Sequence, residues 1–333
     1  MLMLLYNFTF DSDRKSFYVM LKELNQLRKK KFYWKSYFTN LMYKKTSGNI
    51  EDYVDERVYY KIIRNYYRPN GKHPVLSDKI TFQKHMKENK IAGANFLAVL
   101  KKGELLIDSE VYSGEEQIKH ELEELLNRCG SLFIKPTGGI GGRGILKLNK
   151  GERISLENLS MDKDYIIEQT LVQAEELNQI NPFCINTLRV VTVRLGGKIV
   201  VPNCFLRVGI REAYVDNASL GGIFVTYDID KNKLGPAAYQ LFKNGAKSFP
   251  KHPVSNYVFK DASLPFSDEV RSLVTNAAAS FKDVDLIGWD VALTQSGPVI
   301  IEGNDNPHIV GMQITSHGLL NNHVYKEIFK AYI

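Results

Sequence analysis

Two hydrophobic periods alternate along this chain. Phe17, Met20, Leu21, Leu24 and Leu27 fall at i, i+3, i+4, i+7 and i+10, the one-faced stripe of an amphipathic helix. Residues 14 to about 70 read as helical until Asn70-Gly71 breaks the pattern. Ser77 or Asp78 then caps a helix reaching Lys90, because a side-chain oxygen there satisfies an orphan N–H of the first turn. β-like runs follow at 96–100 and 105–107, turning through Lys102-Gly103. Ser113 as N-cap, Glu116 completing a capping box, and Ile118, Leu122, Leu125 and Leu126 on one face predict a helix ending at Gly130.

Beyond Gly130 the strand-like period dominates. Short runs occur at 131–134, 145–148 and 165–169, and 188–208 reads as a hairpin joined by Gly196-Gly197. Ser267 opens a helix with Val270, Leu273, Val274, Ala277 and Phe281 along one face. Strands at 287–293 and 299–302, a Gly/Asn/Pro loop and a C-terminal helix complete the chain. Hairpins outnumber β-α-β crossovers and no repeat recurs, which predicts an α+β fold with antiparallel sheets.

At 333 residues, 44% hydrophobic and 24% charged, the chain can bury a sizeable core in two or three lobes. Cys129, Cys184 and Cys204 are odd in number and lack metal-site spacing, so the expectation is a reducing, cytoplasmic setting without disulfides or structural zinc. Met1 to Tyr6 is apolar but meets Asp11 and Asp13 too soon for a signal peptide or a membrane span. The net charge is +7, and Arg28-Lys29-Lys30-Lys31, Lys35, Lys44 and Lys45 sit among Phe32, Tyr33, Trp34, Tyr37 and Phe38. That mixture suits a solvated helix with inward aromatics, or peripheral contact with an anionic membrane or glycan. No nucleic-acid recognition motif accompanies it.

Candidate chemistry concentrates in two places. In the loop 138–144, five of seven residues are glycine; Lys135 precedes it, Arg143 lies within it and Lys147 follows. Glycine backbones can lay N–H groups against an anion, but no Gly-Lys-Ser/Thr closes the loop, and a strand follows where a dinucleotide fingerprint needs a helix. Strand, glycine loop, strand describes a phosphate-covering flap. The second place is 289–304, where a three-residue hairpin loop at Gln295-Ser296-Gly297 sets Asp290 opposite Glu302. Opposed residues have Cβ atoms about 4.5–5.5 Å apart, and like charges there destabilise a sheet. A hard divalent ion such as Mg²⁺, or an adjacent Arg or Lys, would compensate, whereas a register slipped by one residue at a bulge would separate the pair. Asn304 shares the strand parity of Glu302 and could offer a neutral oxygen.

Together the Lys135 flap and Asp290…Glu302-Gly303-Asn304 resemble the ATP-grasp superfamily of carboxylate ligases. The chain is more closely similar to its sugar-transfer-associated branch, met in polysaccharide and capsule biosynthesis. That likeness rests on Asn181-Pro182, Asn186-Thr187-Leu188-Arg189, Phe205-Leu206-Arg207-Val208-Gly209, Asp216-Asn217 and Gly221-Gly222, and covers about residues 75–313. It implies two α+β lobes clamping ATP between antiparallel sheets: a domain at 73–333, with a small lobe at about 95–167 and a C-terminal lobe at about 168–333, after a helical region at 1–72. The superfamily usually has a Rossmann-like domain where this chain reads as helical.

The resemblance also implies roles. Lys79 and Lys135 match its phosphate-binding lysines, and Gly138, Gly139, Gly141, Gly142, Arg143 and Gly144 its flap. Glu168 and Gln169 match the adenine-reading hinge, and Glu175 the ribose-binding carboxylate. Asp290, Glu302 and Asn304 match ligands of Mg²⁺, which Mn²⁺ could replace. Arg189 would reach the γ-phosphate or an acyl phosphate and Arg207 a substrate carboxylate, with Lys135 completing the catalytic set. The implied reaction joins a small-molecule or glycan carboxylate to an amine. A kinase and a non-catalytic nucleotide-binding scaffold stay open, whereas no serine or cysteine clusters in sequence with a histidine to suggest covalent catalysis.

Overall fold

A computed structural model describes residues 8–64, 71–137 and 144–330, apart from 153, 157, 158, 160, 161 and 211–215. Gly138, Gly139, Gly141, Gly142 and Arg143 of the flap lie outside the described residues. The N-terminal region is helical, with α1 (Phe17–Lys29), α2 (Trp34–Thr39) and α3 (Glu56–Ile62). Ser16 caps α1 by accepting from the Val19 N–H. Met20 and Leu27 are buried, but Phe17 and Leu21 are exposed, against the inward stripe expected of them. The buried strip is displaced because Glu23 turns inward, pairing with Lys15 at 2.8 Å and accepting the Tyr37 hydroxyl.

Helix α4 (Lys79–Glu88) is capped by Asp78, whose Oδ1 accepts from the Thr81 N–H at 2.7 Å. It leads to β1 (Phe96–Lys101), β2 (Glu104–Ile107) and β3 (Glu110–Ser113). The expected Ser113–Glu116 capping box does not form. Ser113 ends a strand, Gly114 precedes α5 (Glu115–Cys129), and the Ser113 N–H is taken by Gln117 Oε1 at 3.3 Å. With β4 (Ser131–Pro136), β5 (Leu146–Asn149) and β6 (Tyr165–Gln169), these strands make an antiparallel sheet ordered β3-β2-β1-β6-β4-β5. Ile118, Leu122, Leu125 and Leu126 of α5 pack against Leu100, Leu132, Ile134 and Ile167, the face their i, i+4, i+7, i+8 spacing prescribes.

The second sheet runs β11-β10-β9-β8-β7-β12-β13, all antiparallel. Its strands are β7 (Thr187–Leu195), β8 (Lys198–Val208), β9 (Ile223–Asp228), β10 (Lys233–Gln240), β11 (Ser248–Phe249), β12 (Leu286–Thr294) and β13 (Gly297–Asn304). One face packs on α6 (Ser267–Ser280) through Val270, Val274 and Ala277. The other is covered by the N-terminal helices with α7 (Ile309–Ser316) and α8 (His323–Phe329), where Val191, Val193 and Phe205 meet Tyr37, Met42 and Tyr43. Apolar layers on both faces explain why every residue of β12 is buried, Asp290 included.

Candidate active site

The first half of the site is the flap's root. Lys135, next to last in β4, forms an ion pair with Glu168 of β6, and Gln83 of α4 donates to the same carboxylate at 3.3 Å. Glu168 is only 4% exposed, and burying a carboxylate at that depth requires such partners. Lys79, in the first turn of α4, donates its Nζ to the Pro136 carbonyl at 2.9 Å. Burial lowers its pKa and Lys135 pushes the same way, while Glu302 and Glu168 oppose them. Lys79 therefore feels both the flap root and the carboxylates of the larger sheet. Gly144 has φ +75° and lies against the flap's root, where an added Cβ would be 3.4 Å from Pro136 Cγ.

Two extended segments join the sheets. One carries Asn95, whose carbonyl accepts the Gln169 N–H at 3.0 Å and whose amide donates to Gln169 Oε1 at 2.7 Å. Just upstream, Ala92 and Ala94 bond Ile300 of β13. The other follows β6, where Val172 and Ala174 bond Gln295 and Leu293. Both connections thus rest on the β12–β13 hairpin. Because the Gln169 N–H is occupied, an adenine edge at this hinge would be read by other groups. Glu175 is exposed in the single-turn helix Glu175–Asn178 beyond the hinge and accepts from Asn178 Nδ2 at 3.1 Å.

The second half is the carboxylate face of β12 and β13. Asp290 pairs with Glu302 as expected, but by a different route. The turn is two residues, with Thr294 opposite Gly297, and an irregularity between Asp290 and Val291 shifts the register by one. Thr294 Oγ1 fastens the turn by donating to the Gly297 carbonyl at 2.7 Å. A tighter turn and a bulge cancel, which the three-residue loop of the sequence reading did not contain.

On its other side Asp290 meets two arginines. Arg189 is its register partner on β7, with Nε 2.6 Å from Oδ1, and Arg207 of β8 reaches Oδ2 at 3.1 Å. Burial pushes the Asp290 pKa up, but Arg189 and Arg207 outweigh it and hold the carboxyl below its ordinary range. Glu302 moves the other way, raised by burial and by Asp290. The Arg189 contact lacks hydrogen-bond alignment, so Asp290 Oδ1 is buried without a hydrogen-bond donor. Asn304 donates Nδ2 to Glu302 Oε1 at 3.1 Å. Among the described residues, no three His, Cys, Asp or Glu side chains gather as a metal cluster. The donor set is two carboxylates and one amide, hard oxygen ligands of the kind Mg²⁺ takes.

Other partners had not been assigned a role from sequence. Asp216 accepts from the Thr187 N–H at 2.9 Å and from its hydroxyl, and lies 3.4 Å from Arg207 Nε. Asp216-Asn217 is part of the family likeness, but nothing local to Asp216 points at Arg207, 9 residues earlier in the chain. Gln83 and Asn95 gave no signal at all, since a polar residue on a helix or before a strand usually faces solvent. Behind Arg207, the Gly209 carbonyl accepts from Asn181 Nδ2 at 3.0 Å and is 2.8 Å from His252 Nε2, while Gln173 Oε1 takes the Asn186 N–H at 2.6 Å.

A model of the family described as sugar-transfer associated ATP-grasp matches residues 59–327. No curated protein sequence matches the chain significantly. Similar solved structures include D-alanyl-alanine synthetase A from Vibrio cholerae, 12% identical with a TM-score of 0.46 over 77% of this chain and 65% of that one. An N5-carboxyaminoimidazole synthase from Aspergillus clavatus, in complex with ADP and 5-aminoimidazole ribonucleotide, is 13% identical with a TM-score of 0.43 over 79% and 53%. The Staphylococcus aureus N5-carboxyaminoimidazole synthetase complexed with ADP is 12% identical with a TM-score of 0.44 over 73% and 50%. The chain thus spans between half and two thirds of these proteins.

Proposed function

This chain belongs to the sugar-transfer associated ATP-grasp family, and from that premise we propose that it is an ATP-dependent carboxylate–amine ligase in sugar or polysaccharide (capsule) biosynthesis. Residues 73–333 would be the catalytic body, with the helices of the preceding region packed into its core. A carboxylate oxygen of the acceptor attacks the γ-phosphorus and ADP leaves. The amine then attacks the acyl carbon of the resulting acyl phosphate, and inorganic phosphate departs as the amine loses a proton.

The protein's part is positioning and charge neutralisation. Lys79 and Lys135 hold phosphates beneath the flap formed by 138–144. The hinge at Glu168 and Gln169 borders the adenine, and Glu175 takes the ribose hydroxyls. Arg189 and Arg207 stand at the transferring phosphoryl group and the acceptor carboxylate. Asp290, Glu302 and Asn304 would hold Mg²⁺, or Mn²⁺ in its place, which would neutralise charge on the phosphate oxygens. The observation that carries this reading is the opposition of Asp290 and Glu302 on a face that Arg189 and Arg207 also reach.

The test is ADP release from ATP with pooled amino acids and uronic or sialic acids, followed by mass spectrometry. An amide product with stoichiometric ADP, lost in Glu302→Gln, is the expected result. A stable phosphorylated acceptor would make the protein a kinase, and unchanged turnover in Glu302→Gln would overturn the assigned site.

A further inference from the structure

Residues 14–45 hold ten Lys and Arg against one acidic residue, Glu23. The whole chain's excess is only seven, so this stretch more than accounts for the basic balance. Glu23 turns inward to Lys15 and Tyr37, which leaves the outward side of α1 without an acid. That side exposes Phe17 (56%), Tyr18 (78%) and Leu21 (67%). Lys22, Arg28 and Lys29 are interleaved with them, exposed and without an ion-pair partner among the described residues.

The strip continues off the helix. The Arg14 guanidinium lies 4.1 Å from the Phe17 ring centre and 5.8 Å from Phe8. Phe8 contacts Phe38 at 5.4 Å, and Phe38 contacts Trp34 at 6.2 Å. Trp34 is itself 59% exposed, with Lys35 Nζ 5.8 Å from its ring. Trp34 and Lys35 thus stand near the α1 strip, linked to it through the half-buried rings of Phe8 and Phe38. Aromatic rings and leucine interleaved with cations on one helix face are what an anionic lipid interface binds: the rings and leucine enter the headgroup and acyl boundary, while the cations reach lipid phosphates along their own stems. Nucleic acid would use the cations and rings but gain nothing from Leu21. Among the described residues no helix is long and apolar enough to cross a membrane, so the contact is with the surface.

We propose that α1 and Trp34 dock this protein on an anionic bilayer surface. This does not depend on the ligase reading, since no residue of the patch belongs to the ATP site. The experiment is co-sedimentation of the full chain with vesicles of equal parts phosphatidylcholine and phosphatidylglycerol, and with phosphatidylcholine alone. Pelleting with the mixed vesicles only is expected, weakening about fivefold for each of Lys22→Gln, Arg28→Gln and Lys29→Gln. Phe17→Ser and Leu21→Ser should release the protein at unchanged charge, with an unaltered circular dichroism melt and unaltered ADP release. Failure to pellet with the mixed vesicles, equal pelleting with phosphatidylcholine alone, or full retention of Leu21→Ser would overturn the proposal. So would light scattering that showed a dimer dissociated by Leu21→Ser, because a second copy would then cover the face.

Discussion

Asp290 is answered on one side by two arginines and faces a second carboxylate on the other. Removing its charge should do two things at once. Asp290→Asn leaves Arg189 without its carboxylate and Arg207 with Asp216 alone, a loss of about 3 kcal/mol for a buried pair, read as a lower urea midpoint. The same variant should lose Mg²⁺-dependent ATP turnover. Asp55 offers a control far from this chemistry. It caps α3 by accepting the Arg57 N–H at 2.8 Å, takes the Tyr33 N–H and binds the Arg57 guanidinium. Burial pushes its pKa up, but these donors prevail and hold it below the ordinary value. The unfolded chain therefore binds the proton more readily. The stabilisation is complete above about pH 4 and is lost as pH falls through the folded value. Asp55→Ala should cost about 1–2 kcal/mol at neutral pH, and the gap from the parent should narrow in urea melts at about pH 3.

At the scale of elements, the β12–β13 hairpin places Asp290 and Glu302, and both connections to the small sheet rest on it. Gly303 lies between Glu302 and Asn304 with its Cα against Trp289; a Cβ there would come 2.8 Å from Leu76 Cδ2 and 2.9 Å from Trp289 Cζ3. Gly303→Ala should therefore cost about 1–3 kcal/mol by overpacking and raise the apparent KM for ATP through its neighbours, measurable by thermal melts and ADP release. The hairpin also marks how far the sequence could be read. Counting outward from Gly297 reaches the pairing of Asp290 with Glu302 only because the bulge offsets the one-residue error in the turn; without it Asp290 would face Ile301. The bulge is not legible, since its extra residue, Ile301, sits in an Ile300-Ile301-Glu302 run of ordinary strand composition. The Ser113–Glu116 box misled for a related reason: a capping pattern is local, whereas pairing with β2 drew Ser113 into a strand.

For the whole molecule, the helices before residue 59 are part of the core rather than an appendage. Tyr37, Met42 and Tyr43 close over Val191, Val193 and Phe205 of the large sheet, and Gln313 of α7 bonds both the Val54 N–H, at 2.7 Å, and the Val54 carbonyl, at 3.0 Å. A chain starting at residue 59, where the family match begins, should expose that face and elute as aggregate in gel filtration. The α+β class and the antiparallel sheets were legible because strand and helix periods differ. This shared core was not, because the pairing of distant apolar faces leaves no mark in local periodicity. In the proposed function, Asp290 and Glu302 hold the cation through which ATP binds and reacts. Calorimetric titration of ATP with and without Mg²⁺, into the parent and into Glu302→Gln, tests it most directly. Mg²⁺ should tighten ATP binding to the parent and have little effect on a folded Glu302→Gln protein. Equal Mg²⁺ enhancement in both would contradict it.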